Sequence, residues 1–337
     1  MTTLIKNILK ISLPFVLGAG ILWWMYRETD WTEFIDCITH DMNWGWMMLS
    51  LAFGVLPGII RGWRWKMSLD PLDEHPKNRT CINAVFLSYA SSLVIPRIGE
   101  VTRCGTLKTY EGTSFPKALG TVVTERMVDS VVMLLLTAIA FLTQLPTLFR
   151  FLKTTGTDLS QVLVRFTSTG YMVTFLCLIA AVGLALLLVY RLSIFKKGKD
   201  AMNNLVDGIM SLRKVKNLPL YLFYSFAIWA GYYLHFYLAF FCFDFTSHFD
   251  PITVFFIFCV GSFAVLVPTP NGAGPWHFAI KTMLVIYGVA EPQAILFALV
   301  VHTIQTFEVV LLGAYGWADL AYSSNKHHLG ISNTNKN

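Results

Sequence analysis

Apolar and polar positions alternate along this chain in long blocks. Apolar stretches fall near residues 8–26, 44–63, 81–96, 117–143, 168–190, 218–243, 251–267 and 292–318. A shorter piece, 276–289, follows the run Pro268-Thr-Pro-Asn-Gly-Ala-Gly-Pro275. Runs of about 20 apolar residues predict membrane-spanning helices. Lys6 and Lys10 ahead of apolar residues 11–24 resemble the start of a signal peptide. That run, however, ends in Ile-Leu-Trp-Trp-Met-Tyr, an aromatic belt rather than a small-residue cleavage site, so an uncleaved helix is expected. The basic stretch 191–217 reads equally as a helix on the membrane surface or as a cytoplasmic loop.

Composition agrees with the pattern. The chain has 337 residues, of which 55% are hydrophobic and only 14% charged, where soluble domains carry roughly 25% charged residues. A polytopic helical membrane protein follows, and a soluble enzyme or nucleic-acid-binding protein does not. The six cysteines are scattered without a C-x-x-C pair, which suits neither a disulfide framework nor a zinc site.

The distribution of lysine and arginine sets the topology. With the N-terminus inside, most of the 26 basic residues face the cytoplasm only if 81–96 does not cross completely. A full crossing would export Arg97, Arg103, Lys108 and Lys117, and then the seven basic residues of 191–216 as well. The segment 81–110 is therefore expected to enter from the cytoplasm, break at Pro96 and return. Segment 251–267 stops at its proline-rich break, and 276–289 is too short to span, so a second hairpin is expected from the outside. The two stretches echo each other: Ser-Tyr-Ala-Ser-Ser-Leu-Val-Ile-Pro (88–96) beside Ser-Phe-Ala-Val-Leu-Val-Pro (262–268). The expected fold is all-α, with two oppositely oriented re-entrant helical hairpins in a transporter-like inverted repeat.

Candidate chemistry collects at these breaks. Arg97, Glu100 and Arg103 share one face if 97–108 is helical, with Pro96 in its first turn. Two guanidinium forks beside a helix start suit a phosphate. Glu125, Arg126 and Asp129 lie inside the next apolar run, at a depth where charges must be paired or functional. Asn271, Gly272 and Gly274 allow close approach of backbone to a ligand. His302, Gln305 and Glu308 recur at spacings of three, as a proton or ion path or as polar packing between helices. Arg61 and Arg64 read as the snorkelling inner end of the second helix.

Three motifs resemble the lysylphosphatidylglycerol synthase transmembrane region family, or flippase-like integral membrane proteins. They are Pro96-Arg97-x-Gly99-Glu100-x-x-Arg103, Glu125-Arg126-x-x-Asp129 and Pro268-x-Pro270-x-Gly272-x-Gly274. The resemblance adds Gly99 to the candidate site. It implies a bacterial inner-membrane, multi-pass protein that moves a lipid or lipid-linked precursor between leaflets. Asn271 stands where the family usually has glycine, and His277 where it usually has an acid, which adds His277 as a pH-sensitive candidate.

The resulting expectation is one integral membrane domain over 1–322 and a short polar cytoplasmic tail over 323–337, with both termini cytoplasmic. No soluble aminoacyl-transferase domain is visible, so no lipid synthesis is expected, nor any cofactor or metal. The partner is a membrane lipid, either an anionic phospholipid or a polyprenyl-phosphate-linked substrate. A homo-oligomer is compatible with this, and nucleic acid is not a partner. The alternative is a membrane-embedded enzyme of lipid-linked sugar or headgroup transfer.

Overall fold

The computed structural model describes residues 19–23, 27, 31–154, 214–267 and 269–334, of which 31, 33, 34, 37, 145–154 and 324–334 are described by backbone alone. The described residues are mostly helical, with no strand among them. Expectations for most of 8–26, for 168–190 and for most of 191–217 lie outside them.

Helix α1 (Trp44–Leu69) starts where the Asn43 side chain accepts from the amides of Gly45 and Trp46, at 3.0 and 3.4 Å. Its 26 residues rise about 39 Å at 1.5 Å each, enough to cross a bilayer core. Helix α5 (Leu218–Ala239) runs antiparallel to it. The Ser50 hydroxyl donates to the His235 carbonyl at 2.6 Å, Gly231 lies under Pro57, and Arg64 reaches Ser225 at 2.9 Å.

Helices α2 (Asn78–Val94) and α3 (Gly99–Glu111) fold back on each other. Thr80 at the start of α2 hydrogen-bonds Glu111 at the end of α3. Pro96 pushes its predecessor into extended backbone, and Ile95 ends α2 at φ −129°, ψ 117°. Arg97 then turns in the left-handed region, at φ 65°. The next helix begins later than expected, at Gly99 rather than at Pro96. A Cβ on Gly99 would lie 2.2 Å from the Ser88 carbonyl oxygen, so glycine is what lets α3 return this close.

Helix α4 (Phe115–Thr154) passes the hairpin, its span Phe115–Gln144 presenting Val123, Met127, Val131 and Leu134 outward. Helix α6 (Pro251–Ala264) is capped by Asp250, and α7 (Pro275–Ile286) returns beside it. Gly261 packs against Trp276 and Ile280, while Phe249 ahead of α6 meets Tyr287 behind α7 at 6.2 Å. The linker holds Asn271 at φ 50°, with Gly272 and Gly274 also at positive φ.

Helix α8 (Glu291–Thr334) lies along α2. Gly313 faces Ala90 and Gly316 faces the Asn83 backbone, small residues permitting the close approach usual between membrane helices. Among the described residues four stretches are long and apolar enough to cross a membrane: Trp44–Leu72, Phe115–Gln144, Leu218–Cys242 and Glu291–Ser323. Their outward faces are apolar, and the protein is membrane-embedded and multi-pass.

Candidate functional site

Two polar centres lie inside this apolar bundle. The first joins α1, α3 and α4. Arg61 Nη1 meets Asp129 Oδ2 at 2.8 Å and Arg64 Nη1 meets Asp129 Oδ1 at 2.7 Å. Arg64 Nε stands 3.5 Å from Glu125 Oε1, and Arg103 pairs with Glu125 Oε2. The Arg103 guanidinium also lies over the Trp65 ring, 4.4 Å from its centroid. Trp65 is itself pinned by its indole N–H donating to Thr121 at 2.9 Å.

Arg61 and Arg64 are therefore not a snorkelling helix end. They are 3% and 0% exposed, because the face of α1 that carries them packs on the acids of α4. Three buried guanidinium groups against two carboxylates leave the centre with one positive charge in excess. At its edge Arg126 Nε meets Glu100 Oε1 at 2.8 Å, both side chains nearly half exposed.

The expectation that Arg97, Glu100 and Arg103 share one face fails as well. Arg97 precedes the helix, and its Nη2 donates to the Leu266 carbonyl at 2.9 Å. Glu100 faces Arg126 on the flank, and Arg103 turns inward to Glu125. Three residues at helical spacing thus serve three places.

The second centre is a cavity of about 410 Å³ where the linkers of the two folded-back helix pairs approach each other. Ser92 of α2, Val265 and Asn271 of the α6–α7 linker, and Trp276 of α7 line one side. His235 of α5 and His302, Gln305 and Glu308 of α8 line another. Gly54 of α1 makes room, since a Cβ there would come within 2.5 Å of the Glu308 carboxylate. His235 Nδ1 meets the Ser50 carbonyl at 2.7 Å, and a carbonyl only accepts, so Nδ1 carries the proton. Nε2 is left facing Glu308 Oε2 at 3.7 Å.

Asn271 is held by α8. Its side-chain amide donates to Thr306 at 2.8 Å, and its carbonyl takes His302 Nε2 at 3.1 Å. His277 is buried beside it, its ring 4.3 Å from that of His302 and its Nδ1 accepting the Gly274 amide at 3.3 Å. Gly272 packs on Val265, and Gly274 with its φ of 90° starts α7.

The candidate residues thus divide. Asn271, Gly272, Gly274, His277, His302, Gln305 and Glu308 gather at or beside the cavity. Glu125, Asp129 and Arg103 lie in the ion network, Arg126 and Glu100 on its flank, and Gly99 in the tight turn. Sequence reasoning missed Arg61 and Arg64 as network members, and His235, Tyr89 and Tyr232 as lining. The signal for His235 was its place inside an apolar span, where a titratable side chain is functional by default. Tyr89 and Tyr232 hydroxyls meet at 2.8 Å on the cavity wall and lie within electrostatic reach of Arg61, between the two centres.

A bundle of apolar spans with charges buried in its middle defines a polytopic membrane protein with an internal polar site. More particularly, residues 11–313 match the family model described as the lysylphosphatidylglycerol synthase TM region, and the chain belongs to that family. No curated protein and no solved structure matches it. The family relates the chain to lipid modification or translocation in a membrane.

Proposed function

We propose that the protein moves a lipid with an anionic phosphate, a phospholipid or a polyprenyl-phosphate-linked precursor, between the leaflets of a bacterial inner membrane. In this reading α2–α3 and α6–α7 are re-entrant hairpins entering from the cytoplasmic and the outer face. They form the broken elements of an inverted repeat, and both termini are cytoplasmic. The observation that carries the reading is the contact of the two tips, Arg97 on Leu266, beside the cavity. Broken helices meeting near the midplane around a cavity are where transporters of this architecture hold their substrate.

Arg97 is exposed, and its guanidinium is engaged by a neutral carbonyl. A phosphate is the stronger, charge-assisted partner for that fork. Binding it exchanges the tip-to-tip hydrogen bond for one to the lipid, so headgroup capture and separation of the tips are one event. The excess positive charge of the neighbouring ion network favours the anion further. Acyl or prenyl tails stay in the bilayer against the apolar outer faces. No bond in the lipid is made or broken in this mechanism.

A leaflet-resolved lipid assay in proteoliposomes tests it. Arg97→Ala is expected to slow translocation on the order of tenfold, the scale of one lost charge-assisted hydrogen bond. An unchanged rate would remove Arg97 from the mechanism. Turnover of a radiolabelled nucleotide sugar or polyprenyl phosphate by the purified protein would favour an enzyme instead.

A further inference from the structure

The lining of the cavity says which part of a lipid it can hold. Among the described residues that line it there is no lysine and no arginine, and Glu308 supplies the one carboxylate. A phosphate drawn into it would lose its hydration and meet that carboxylate. Its other polar groups are of both hydrogen-bonding kinds, among them hydroxyls of Tyr89, Ser92 and Thr306, amides of Asn271 and Gln305 and the imidazoles of His235 and His302.

Three buried polar atoms on lining residues have no hydrogen-bond partner among the described residues. Gln305 Nε2 and Trp229 Nε1 are donors, and Glu308 Oε1 is an acceptor. Buried polar atoms are nearly always satisfied, and orphans of this kind mark places where a ligand or water completes the set. An ammonium group only donates, so it would answer Glu308 and leave both N–H groups unmet. A phosphate only accepts and would do the reverse. A hydroxyl does both. Trp229, Trp276 and Phe258 add flat apolar surface, against which the C–H face of a polyol can lie.

We propose that this cavity is a binding site for a neutral, hydroxyl-rich headgroup, a glycerol or sugar moiety, whose phosphate, where there is one, stays outside it at Arg97. The inference rests on the translocation reading and names its substrate class. A volume of about 410 Å³ lies within the ~300–1,000 Å³ usual for small-molecule sites.

The test uses the full chain in nanodiscs holding equal amounts of phosphatidylglycerol, phosphatidylethanolamine, phosphatidic acid and a galactosyl diacylglycerol, read by native mass spectrometry of retained lipid. The glycolipid has no phosphate and isolates the cavity from Arg97. Wild type is expected to retain phosphatidylglycerol and the glycolipid roughly tenfold over the other two. Gln305→Leu, which removes the side-chain amide, and Trp229→Phe, which removes the indole N–H, should move that ratio toward one while the melting temperature stays near wild type. Equal retention, or preference for phosphatidylethanolamine or phosphatidic acid, overturns the assignment, and so does a ratio that both variants leave unchanged. Selective retention without transfer between leaflets would sink translocation and leave the site standing. Transfer without selectivity would sink the site alone.

Discussion

At the scale of single residues, what matters is whether a charge has a way out to solvent. Arg64 has none: its side chain is fully buried and it serves both Glu125 and Asp129. Removing it leaves Asp129 with Arg61 and Glu125 with Arg103, but strips both buried carboxylates of a charge-assisted contact. Arg64→Met is therefore expected to cost about 1.5–3 kcal/mol in a reversible detergent-denaturant titration. Arg126, nearly half exposed and paired with an equally exposed Glu100 outside the sealed set, should cost less than Arg64 as Arg126→Ala. Equal losses would mean that the network is not the sealed structure its burial indicates. Two glycines of α3 offer the same contrast in steric form. A Cβ at Gly99 would collide with the Ser88 carbonyl, whereas one at Gly105 has nothing within 4 Å. Gly99→Ala should destabilise by about 1–3 kcal/mol, and Gly105→Ala should be neutral or gain about 0.5–1 kcal/mol by removing helix-interior glycine. Comparing melting temperatures of the two variants decides this.

At the scale of elements, the apolar runs located most helices within a few residues, because length and hydropathy are local properties. The segment expected at 44–63 continues to Leu69, and that at 276–289 is α7 at Pro275–Ile286. Local pattern failed where a partner decides. Arg61 and Arg64 near the end of an apolar run look like snorkelling side chains until α4 brings Asp129 against them. Pro96 looks like a helix start until Arg97 turns left-handed and Gly99 takes that place. The acids of α4 were legible, since two carboxylates four apart in an apolar helix need cations; which cations was not. Asp250 illustrates an element end that local rules do explain. Its carboxylate accepts from the Ile252 and Thr253 amides at 2.9 and 3.0 Å and from the Thr253 hydroxyl at 2.6 Å. Desolvation alone would raise this carboxyl, but those hydrogen bonds outweigh it and hold it below its ordinary range. With the folded value depressed, the cap's contribution is complete above the unfolded value of about 3.9 and is lost as pH falls through the folded one. Asp250→Ala should cost about 1 kcal/mol at pH 7. Asp250→Asn should keep most of the cap and remove its acid dependence, which melting curves from pH 7 to pH 3 would reveal.

At the scale of the molecule, direction is the property on which translocation depends. Thr80 with Glu111 ties the open end of the α2–α3 pair together at the end of the bundle where α1 finishes and α5 starts. Phe249 with Tyr287 does the same for α6–α7 at the opposite end, where Asn43 donates to the Cys242 carbonyl. The tips then meet between those ends. If a bilayer surrounds the bundle along the apolar faces of α4 and α8, a hairpin that enters from one side must expose its open end to that side alone. Lys108 near the end of α3 and Ser247 ahead of α6 are both exposed and give each end a reporter. Introduced singly as Lys108→Cys and Ser247→Cys, in a chain whose native cysteines are replaced, they should label with a membrane-impermeant maleimide from opposite sides. Lys108→Cys should react in inside-out vesicles and Ser247→Cys in intact spheroplasts. Labelling of both from one side would mean that one pair crosses completely, and the two tips could not then approach a shared cavity from opposite leaflets. A lipid headgroup would have no continuous polar route past Arg97, and the translocation mechanism would lose its geometry whatever the affinity of the cavity.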